Sequence, residues 1–185
     1  MFLNDLLKAL WFFLPAGLSN SVAVIATKIP LLRDLNYPVD LGLKFNGKRI
    51  LGSHKTIRGF IVGTMFSMVV IIIQKQLFEK FEIIRHISYF DYDNLDVIFL
   101  GFLLGFGALV GDSLKSFFKR RINIAPGEPW FPFDQIDFVI GGLLFSTLYI
   151  QLTFMQYLLI FTVYFLIHPL STIFSFFIKL KDKPI

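Results

Sequence analysis

Apolar segments long enough to cross a membrane recur along the whole 185-residue chain, and this feature constrains the fold most strongly. A spanning helix needs about 20 consecutive, mostly apolar residues. The composition agrees, because 55% of the residues are hydrophobic and only 17% are charged, against about 25% charged in soluble domains. Backbone exposed to lipid must satisfy its own hydrogen bonds, which a helix does. We therefore predict an all-α, polytopic integral membrane protein.

Five transmembrane helices are the simplest count, and we predict them at residues 5–28, 58–77, 95–117, 136–152 and 156–178. The first is expected to be a retained span, since Asp5 and Lys8 stand where a signal peptide has a basic leader. No linker or repeat divides the chain, so residues 1–185 are predicted to form a single domain. Two prolines are predicted to kink the first and last spans, and these are Pro15 and Pro169.

The distribution of basic residues predicts the orientation of these spans. The first loop, the third loop and the C-terminus lie on one side and carry 14 of the 18 lysines and arginines. These are Lys28, Arg33, Lys44, Lys48, Arg49, Lys55, Arg58, Lys115, Lys119, Arg120, Arg121, Lys179, Lys181 and Lys183. Because cytoplasmic loops are enriched in basic residues, the N-terminus is predicted outside and the C-terminus in the cytoplasm of a cell-membrane protein.

The overall charge and the absence of cysteine narrow the classes of function. The net charge of +5 does not indicate a nucleic-acid polymer as partner, because the basic residues flank membrane spans and no soluble basic domain is present. Without cysteine, any metal site must use oxygen or imidazole ligands.

Four glycines in the third predicted span form two small-xxx-small spacings, which predict that another helix approaches closely. They are Gly101, Gly105, Gly107 and Gly111.

Charged residues are concentrated in "GDSLKSFFKRRINIAPGEPWFPFDQID", residues 111–137, between two apolar segments. Asp112, Ser116 and Lys119 follow helical spacing and share one helix face. Asp134 and Asp137 share a face at the start of the fourth span. The intervening segment contains three prolines and a glycine, so we expect it to fold back and bring the three aspartates together.

Three converging carboxylates repel one another unless a cation joins them. Oxygen ligands suit Mg²⁺, with Mn²⁺ as the alternative, and phosphate oxygens typically complete the coordination. The neighbouring Lys119, Arg120 and Arg121 would then neutralise phosphate charge. The alternative left open is that these cations only anchor the topology and the acids only cap helices.

A second basic segment, "FNGKRILGSHKTIRGF", lies before the second span on the same predicted side. Lys55, Thr56 and Arg58 offer donors for phosphate there. The segment is not a Walker loop, because the GxxxxGK[ST] pattern is absent. A basic turn without a ligand is the alternative.

Together, "GSHKTIRGF", "GALVGDSLKSFFKRR" and "FPFDQIDFVIGG" resemble the motifs of the CDP-archaeol synthase family over nearly the whole chain. This family is related to the CDP-diacylglycerol synthases, which share the wider pattern S-x-x-K-R followed by D-x-x-D. The resemblance implies a five-span, Mg²⁺-dependent enzyme whose site faces the cytoplasm. Such an enzyme joins CTP to a lipid phosphate, di-geranylgeranyl glycerol phosphate in archaea, and releases pyrophosphate.

The resemblance also implies roles for particular residues. The expected catalytic residues are Asp112, Lys119, Asp134 and Asp137, and the expected metal ligands are Asp112, Asp134 and Asp137. The residues expected to hold nucleotide or phosphate are Lys55, Thr56, Arg58, Ser116, Lys119 and Arg120. The lipid phosphate is itself an oxyanion that can attack the α-phosphorus of CTP, so no nucleophilic side chain is expected.

Several points stay open at the level of sequence. Ser53 and Ile57 stand where the family often has an acid and a tryptophan, and chains of this type can act on ether or ester lipids, including phosphatidic acid. Trp130, Phe131 and Phe133 could stack on cytosine or form an interfacial aromatic belt. A homodimer is also left open.

Three rival functions fit the pattern less well. A small transporter would carry its charges near the middle of the bilayer. A CDP-alcohol phosphotransferase would show a DGxxAR signature, which is absent. A membrane scaffold would leave the acids unexplained.

Overall fold

The computed structural model describes residues 2–26 and 29–177 of the chain, and that part is mainly helical, as predicted. It contains the helices α1 (Phe2–Ile25), α2 (Ile57–Lys80), α3 (Glu82–His86), α4 (Val97–Arg121), α5 (Phe133–Ser146) and α6 (Phe154–Phe177), the strands β1 (Lys44–Phe45) and β2 (Lys48–Arg49), and short 3-10 helices at Pro30–Leu35 and Tyr92–Asn94. Four of the cations used to predict orientation lie outside the described residues, namely Lys28, Lys179, Lys181 and Lys183.

Three of the described helices are long and apolar enough to cross a membrane, at Leu3–Ile25, Ile57–Lys80 and Val97–Arg121. A shorter apolar helical segment covers Phe154–Leu170 in α6. The apolar helix α5 has 14 residues. The chain therefore has the helical, membrane-embedded character that its sequence predicts.

Helix α4 packs between α2 on one side and α5 on the other, and its glycines permit both contacts. A methyl group on Gly101 would lie 2.8 Å from the Cα atom of Met68 in α2. A methyl group on Gly111 would overlap the backbone carbonyl of Asp137 in α5, and one on Gly141 would overlap the carbonyl of Gly107. The close approach predicted from the glycine spacing is confirmed.

Hydrogen bonds between side chains and backbone carbonyls reinforce these helix contacts inside the apolar layer. Ser67 Oγ in α2 donates to the carbonyl of Gly101 at 2.8 Å. Tyr164 OH in α6 donates to the carbonyl of Leu10 in α1 at 2.8 Å. Buried polar groups in such surroundings need partners, because an unpaired one costs free energy. The first bond joins α2 to α4, and the second joins α6 to α1.

The described helix ends differ from the predicted ones in two informative places. Helix α4 runs on to Arg121 instead of ending near residue 117, and α5 ends at Ser146 instead of near 152. At the end of α5, Ser146 Oγ donates to the Leu143 carbonyl at 2.9 Å and Thr147 Oγ1 donates to the Leu144 carbonyl at 2.6 Å. After Ser146 the backbone follows a tighter turn, in which the Leu148 N–H donates to the Phe145 carbonyl and the Tyr149 N–H donates to the Ser146 carbonyl, both at 3.1 Å.

Two prolines predicted to kink helices lie inside single uninterrupted helices, Pro15 in α1 and Pro169 in α6.

Helix α4 ends, and helices α2 and α5 begin, at the same end of the bundle. The 3-10 helix Pro30–Leu35 and Lys55 precede α2 at that end. The loop of residues 122–132 connects α4 to α5 at the same end. This arrangement brings the two charged segments of the sequence together.

Candidate active site

Three aspartates surround one ammonium group where α4 meets α5. Lys115 Nζ lies 3.0 Å from Asp112 Oδ1, 2.8 Å from Asp134 Oδ1 and 2.5 Å from Asp137 Oδ2. The structure therefore brings together all three carboxylates that the sequence analysis singled out. We call Asp112, Asp134, Asp137 and Lys115 the aspartate cluster.

The positions of these residues follow from helix geometry. Asp112 and Lys115 are one turn apart on α4, so their side chains lie on neighbouring lines of one face. Asp134 lies in the first turn of α5 and Asp137 in the next turn. The glycine contact between Gly111 and α5 places the two helices close enough for all four side chains to meet.

The aspartate cluster is recessed from the end of the bundle. Asp112 lies nine residues before the end of α4, about 13 Å along the helix axis. The side chains of Lys115 and Asp137 are 13% and 4% exposed, respectively. Charges at this depth are costly unless they are paired, and each of these groups has an oppositely charged neighbour in the cluster.

Two further lysines close the cluster from the side of the loops. Lys55 Nζ forms an ion pair with Asp112 Oδ2. Lys119 Nζ donates to both oxygens of Asp134, at 3.2 and 3.4 Å, and to the backbone carbonyl of Glu128. The segment before α2 and the loop between α4 and α5 are thereby tied to the same acids.

The oxygen donors of the aspartate cluster suit a hard divalent cation. One oxygen from each of the three aspartates lies within 3.0 Å of Lys115 Nζ, so the three oxygens converge on the position of that ammonium group. A positive group at that point removes the repulsion between the carboxylates, as a metal ion would. Among residues 2–26 and 29–177, no group of three or more His, Asp or Glu side chains is arranged as a ready metal site.

The hydroxyl groups of two predicted substrate-binding residues have other partners. Thr56 Oγ1 caps α2 by accepting a hydrogen bond from the Gly59 N–H at 3.2 Å. Ser116 Oγ donates to the backbone carbonyl of Asp112 at 3.0 Å. Both residues are buried close to the aspartate cluster, but their hydroxyl groups serve the helices.

Arg58 lies away from the aspartate cluster. Its guanidinium donates to the Leu32 carbonyl at 3.2 Å and to Asn36 Oδ1 at 3.0 Å, and the residue is 3% exposed. Arg58 thus holds the segment after α1, and the structure does not bring it together with Lys55 and the acids. The cause is its place in the first turn of α2, two residues past the cap, where its side chain points to that segment.

Arg120, in contrast, lies beside the turn that leads to Lys55. A methyl group on Gly52 would lie 4.0 Å from Arg120 Nη1, and Gly52 itself has a φ of +103°, a conformation that favours glycine. Within the described ranges, the buried Nε of Arg120 has no hydrogen-bond partner. The Nε atoms of Arg58 and Arg121 are equally without a partner among the described residues, so it is the position of Arg120 beside Gly52 that brings its positive charge to the turn before Lys55.

The β-hairpin formed by β1 and β2 is bound to the end of α4. Arg121 donates to the carbonyls of Phe45 at 2.9 Å and Arg49 at 2.6 Å, and its guanidinium stacks over the Phe117 ring. In return, Lys48 Nζ donates to the Arg121 carbonyl at 3.0 Å. Arg121 is therefore a structural residue that fixes the first loop against α4.

Asp40 organises the rest of this loop. Its carboxylate accepts hydrogen bonds from Arg49 Nη2 at 2.5 Å, from the Leu51 and Gly52 N–H groups at 3.0 Å each, and from the Gly42 N–H at 3.1 Å. Burial alone would raise the pKa of Asp40. The hydrogen bonds from Arg49 and the backbone outweigh burial and hold that pKa far below its ordinary value.

The backbone around Lys55 is fixed by pairing with the segment before Asp40. The Val39 N–H donates to the Lys55 carbonyl at 2.8 Å, and the Ile57 N–H donates to the Tyr37 carbonyl at 2.9 Å. Asp40 follows this pairing directly, so its four bonds and the pairing together place Lys55 over Asp112.

The aromatic residues next to the acids pack on one another. The rings of Trp130 and Phe133 are 4.2 Å apart, and the Trp130 N–H donates to Asp134 Oδ2 at 2.5 Å. Phe131 is exposed and lies 6.4 Å from the Phe165 ring. Loop packing therefore accounts for Trp130 and Phe133, and the backbone of Trp130 helps to orient Asp134.

Sequence reasoning did not include Lys115 and Asp40 among the site residues. The spacing of Lys115 from Asp112, one helical turn, is the signal that could have identified the former. For Asp40, the signal is an aspartate two residues before Gly42, a spacing typical of a side-chain turn, but its bonds to residues 49–52 depend on the fold.

Known proteins resemble this chain over nearly its whole length. The CarS-like family of CDP-archaeol synthases matches residues 2–185. A CDP-archaeol synthase of Methanocaldococcus jannaschii is 37% identical over 185 residues, covering 98% of each chain. One of Pyrococcus furiosus is 34% identical, covering 98% of this chain and 99% of the relative.

A solved structure is also similar, with a TM-score of 0.67 and 27% identity over 89% of this chain and 92% of that one. It is described as an intramembrane enzyme for archaeal membrane lipids biosynthesis. The fold, the family match and the relatives all point the same way: this chain belongs to the CarS-like CDP-archaeol synthase family.

Proposed function

We propose that this protein transfers the cytidylyl group of CTP to a membrane lipid phosphate, forming a CDP-lipid of the CDP-archaeol type and pyrophosphate. Membership of the CDP-archaeol synthase family is the first support. The observation that carries the proposal within the molecule is the recessed aspartate cluster with its surrounding lysines, because phosphoryl transfer requires positioned charge and little covalent chemistry.

The residues of the site divide into two sets in this reaction. Lys55, Lys119 and Arg120 neutralise the triphosphate and the departing pyrophosphate, since Lys55 and Lys119 pair with the acids and Arg120 lies beside the turn before Lys55. Asp112 and Asp134 hold the site in register across α4 and α5. The attacking group is an oxygen of the lipid phosphate, which displaces pyrophosphate at the α-phosphorus, so one phosphorus–oxygen bond forms as another breaks.

The oxygen donors of Asp112, Asp134 and Asp137 would hold Mg²⁺, or Mn²⁺ in its place. When bound, such an ion polarises phosphoryl oxygens and stabilises negative charge in the transition state. The protein's own part is to keep the three carboxylates within reach of one another at the junction of α4 and α5.

The recess of the site within the helical layer suits a lipid substrate. The aspartate cluster lies near the end of the bundle at which α4 terminates. The outer surfaces of α2 and α4 are apolar, with exposed Met65, Phe66 and Phe102. A lipid phosphate could thus present its headgroup to the cations while its chains stay beside apolar side chains.

We further propose five spans, formed by α1, α2, α4, α5 and α6, in a single domain of residues 1–185. The cation distribution supports an N-terminus outside and an active site that faces the cytoplasm, where CTP is present. The homodimer left open by the sequence is not part of this proposal.

A panel of lipid phosphates tests the function. Purified protein is incubated with CTP, Mg²⁺ and either di-geranylgeranyl glycerol phosphate, its saturated form or phosphatidic acid, and products are identified by mass spectrometry. We expect CDP-lipid and pyrophosphate in equal amounts, with preference for the ether lipid. Formation of CDP-lipid from phosphatidic acid alone would instead support a CDP-diacylglycerol synthase, and no CDP-lipid from any member would contradict the proposal.

A further inference from the structure

Each acid of the aspartate cluster forms an ion pair with a lysine of the protein itself. Every carboxylate oxygen of Asp112, Asp134 and Asp137 has a cation or an N–H group within 3.4 Å. The second oxygen of Asp137, for example, accepts from the N–H of Phe138 at 2.6 Å. Asp137 Oδ2 makes no hydrogen bond among the described residues, so its pairing rests on the ammonium of Lys115, 2.5 Å away.

The formal charges also balance. Three carboxylates face three ammonium groups, because Lys115 contacts all three acids, Lys55 pairs with Asp112 and Lys119 pairs with Asp134. The cluster is thus neutral as it stands. Adding a divalent cation would leave two uncompensated positive charges in a recessed site, which is strongly unfavourable where water is scarce.

Lys115 holds the decisive position among the three lysines. Its Nζ is the one within 3.0 Å of every aspartate, so it takes the point on which a shared metal ion would be centred. Its side chain is 13% exposed, whereas that of Lys55 is 20% exposed and lies nearer the loops. An ion and the Lys115 ammonium cannot both be there.

We propose that Lys115 is a built-in counter-cation that prevents the free protein from binding a divalent metal ion, so that metal binding requires the nucleotide triphosphate. The triphosphate supplies the negative charge that lets the lysines leave the carboxylates. Lys115 is therefore a positioning residue that couples two ligands, and by linkage the metal must favour nucleotide binding to the same degree. This inference rests on the proposed function.

Binding of Mn²⁺ to the purified protein without nucleotide tests the inference directly. Free Mn²⁺ is measured by electron paramagnetic resonance during titration of the wild type, Lys115→Met and Lys115→Arg. We expect Lys115→Met to bind Mn²⁺ at least about tenfold more tightly than the wild type, because one cationic charge at contact distance has been removed. Lys115→Arg keeps that charge and should bind as weakly as the wild type.

Lys75→Met is the matched control, since Lys75 Nζ also lies near two carboxylates, Glu79 at 3.9 Å and Asp93 at 3.8 Å, at the other end of α2. Its Mn²⁺ affinity should equal that of the wild type. A thermal unfolding series adds a second readout: Mn²⁺ alone should stabilise Lys115→Met and leave the wild type unchanged.

Wild-type protein should retain Mn²⁺ once a CTP analogue that cannot be cleaved between its α- and β-phosphates is added, after correction for the Mn²⁺ complex of the analogue in a protein-free sample. Equal Mn²⁺ affinity of the wild type and Lys115→Met without nucleotide would overturn the inference. If Lys115→Met cannot be purified folded, Lys115→Gln serves in its place, because it removes the charge and keeps a hydrogen-bond donor, and unchanged affinity there is equally contradictory. These readouts need no turnover, so failure to form CDP-lipid would count against the proposed function alone.

Discussion

Lys55 and Arg58 stand three residues apart in the same basic segment but make different kinds of contact. Lys55 pairs with Asp112 at the aspartate cluster, whereas Arg58 is buried against Leu32 and Asn36. The ammonium of Lys55 can exchange its carboxylate partner for a phosphate group. The guanidinium of Arg58 instead holds the fold together.

We therefore predict opposite effects of two alanine substitutions. Lys55→Ala should lower kcat/KM for CTP by about tenfold or more, through loss of a charge-assisted hydrogen bond, with little change in thermal stability. Arg58→Ala should lower the free energy of unfolding by about 2 kcal/mol, since it removes a buried side chain and the two hydrogen bonds of its charged group. Initial rates across CTP concentration and thermal unfolding of both variants check this. A stable Arg58→Ala with impaired use of CTP would contradict the assignment.

Asp40 gives a prediction about pH. Its pKa in the folded protein lies far below the ordinary value of 3.8, so the ionised carboxylate stabilises the fold above about pH 4, and this contribution is lost as the pH falls below that value. Asp40→Asn should lower the free energy of unfolding near neutral pH by about 1–3 kcal/mol and make the stability less dependent on pH below about 4. Asp34→Asn, at an exposed position, is the control. Identical acid unfolding curves for Asp40→Asn and the wild type would refute this role.

At the scale of single residues, the acids could be predicted from spacing and the loop contacts could not. Asp112, Asp134 and Asp137 were recognised because helical periodicity and a proline-rich return place them together. The partners of Asp40 and Arg58 depend on how residues 29–56 fold over the bundle, and no periodicity describes such a loop.

Helix α4 is the element on which both the fold and the site depend. One pair of its glycines faces α2 and the other faces α5, so it is held closely on both sides. The aspartate cluster lies next to the second contact, where Gly111 immediately precedes Asp112. Separation of α4 from α5 would therefore separate Asp112 from Asp137.

Gly111→Ala tests this dependence. The added methyl group would overlap the Asp137 carbonyl, so we expect a loss of stability of about 1–3 kcal/mol together with reduced turnover. Gly59→Ala is the matched control, because the nearest atom to its methyl group, Thr56 Oγ1, would be 3.4 Å away. The stability is measured by titrating the protein in detergent with increasing concentrations of a denaturant and monitoring unfolding by circular dichroism. Gly111→Ala with the stability of Gly59→Ala would show that the contact is not limiting.

The types of the long helices were predictable because their apolar segments are long, and their ends were less so. Residues 147–152 continue the apolar composition of α5, yet they form a turn in which Ile150 and Leu152 are buried. Apolar composition predicts burial there, but it does not distinguish a buried turn from a helix. The backbone hydrogen bonds of Leu148 and Tyr149, each to the carbonyl three residues earlier, form this turn.

The whole molecule places its two charged segments at one end, and the proposed orientation follows from that asymmetry. A reporter inserted at Asp91, between α3 and α4, should report the outside of the cell. A reporter fused to the C-terminus should report the cytoplasm, because three of the five proposed spans, α4, α5 and α6, lie between Asp91 and the C-terminus. Both reporters on the same side would contradict the five-span count, whereas reversed signals would contradict only the orientation.

The most direct test of the central claim follows the individual phosphorus atoms of CTP. Purified wild type and Asp134→Asn are each given di-geranylgeranyl glycerol phosphate, Mg²⁺ and CTP labelled at either the α- or the γ-phosphorus. For the wild type, we predict α label in the lipid fraction and γ label in pyrophosphate. Asp134→Asn should remain folded and transfer label at least about 100-fold more slowly, because it loses a charge that organises the site. Label from the γ position in the lipid, or undiminished transfer by Asp134→Asn, would contradict cytidylyl transfer at the aspartate cluster.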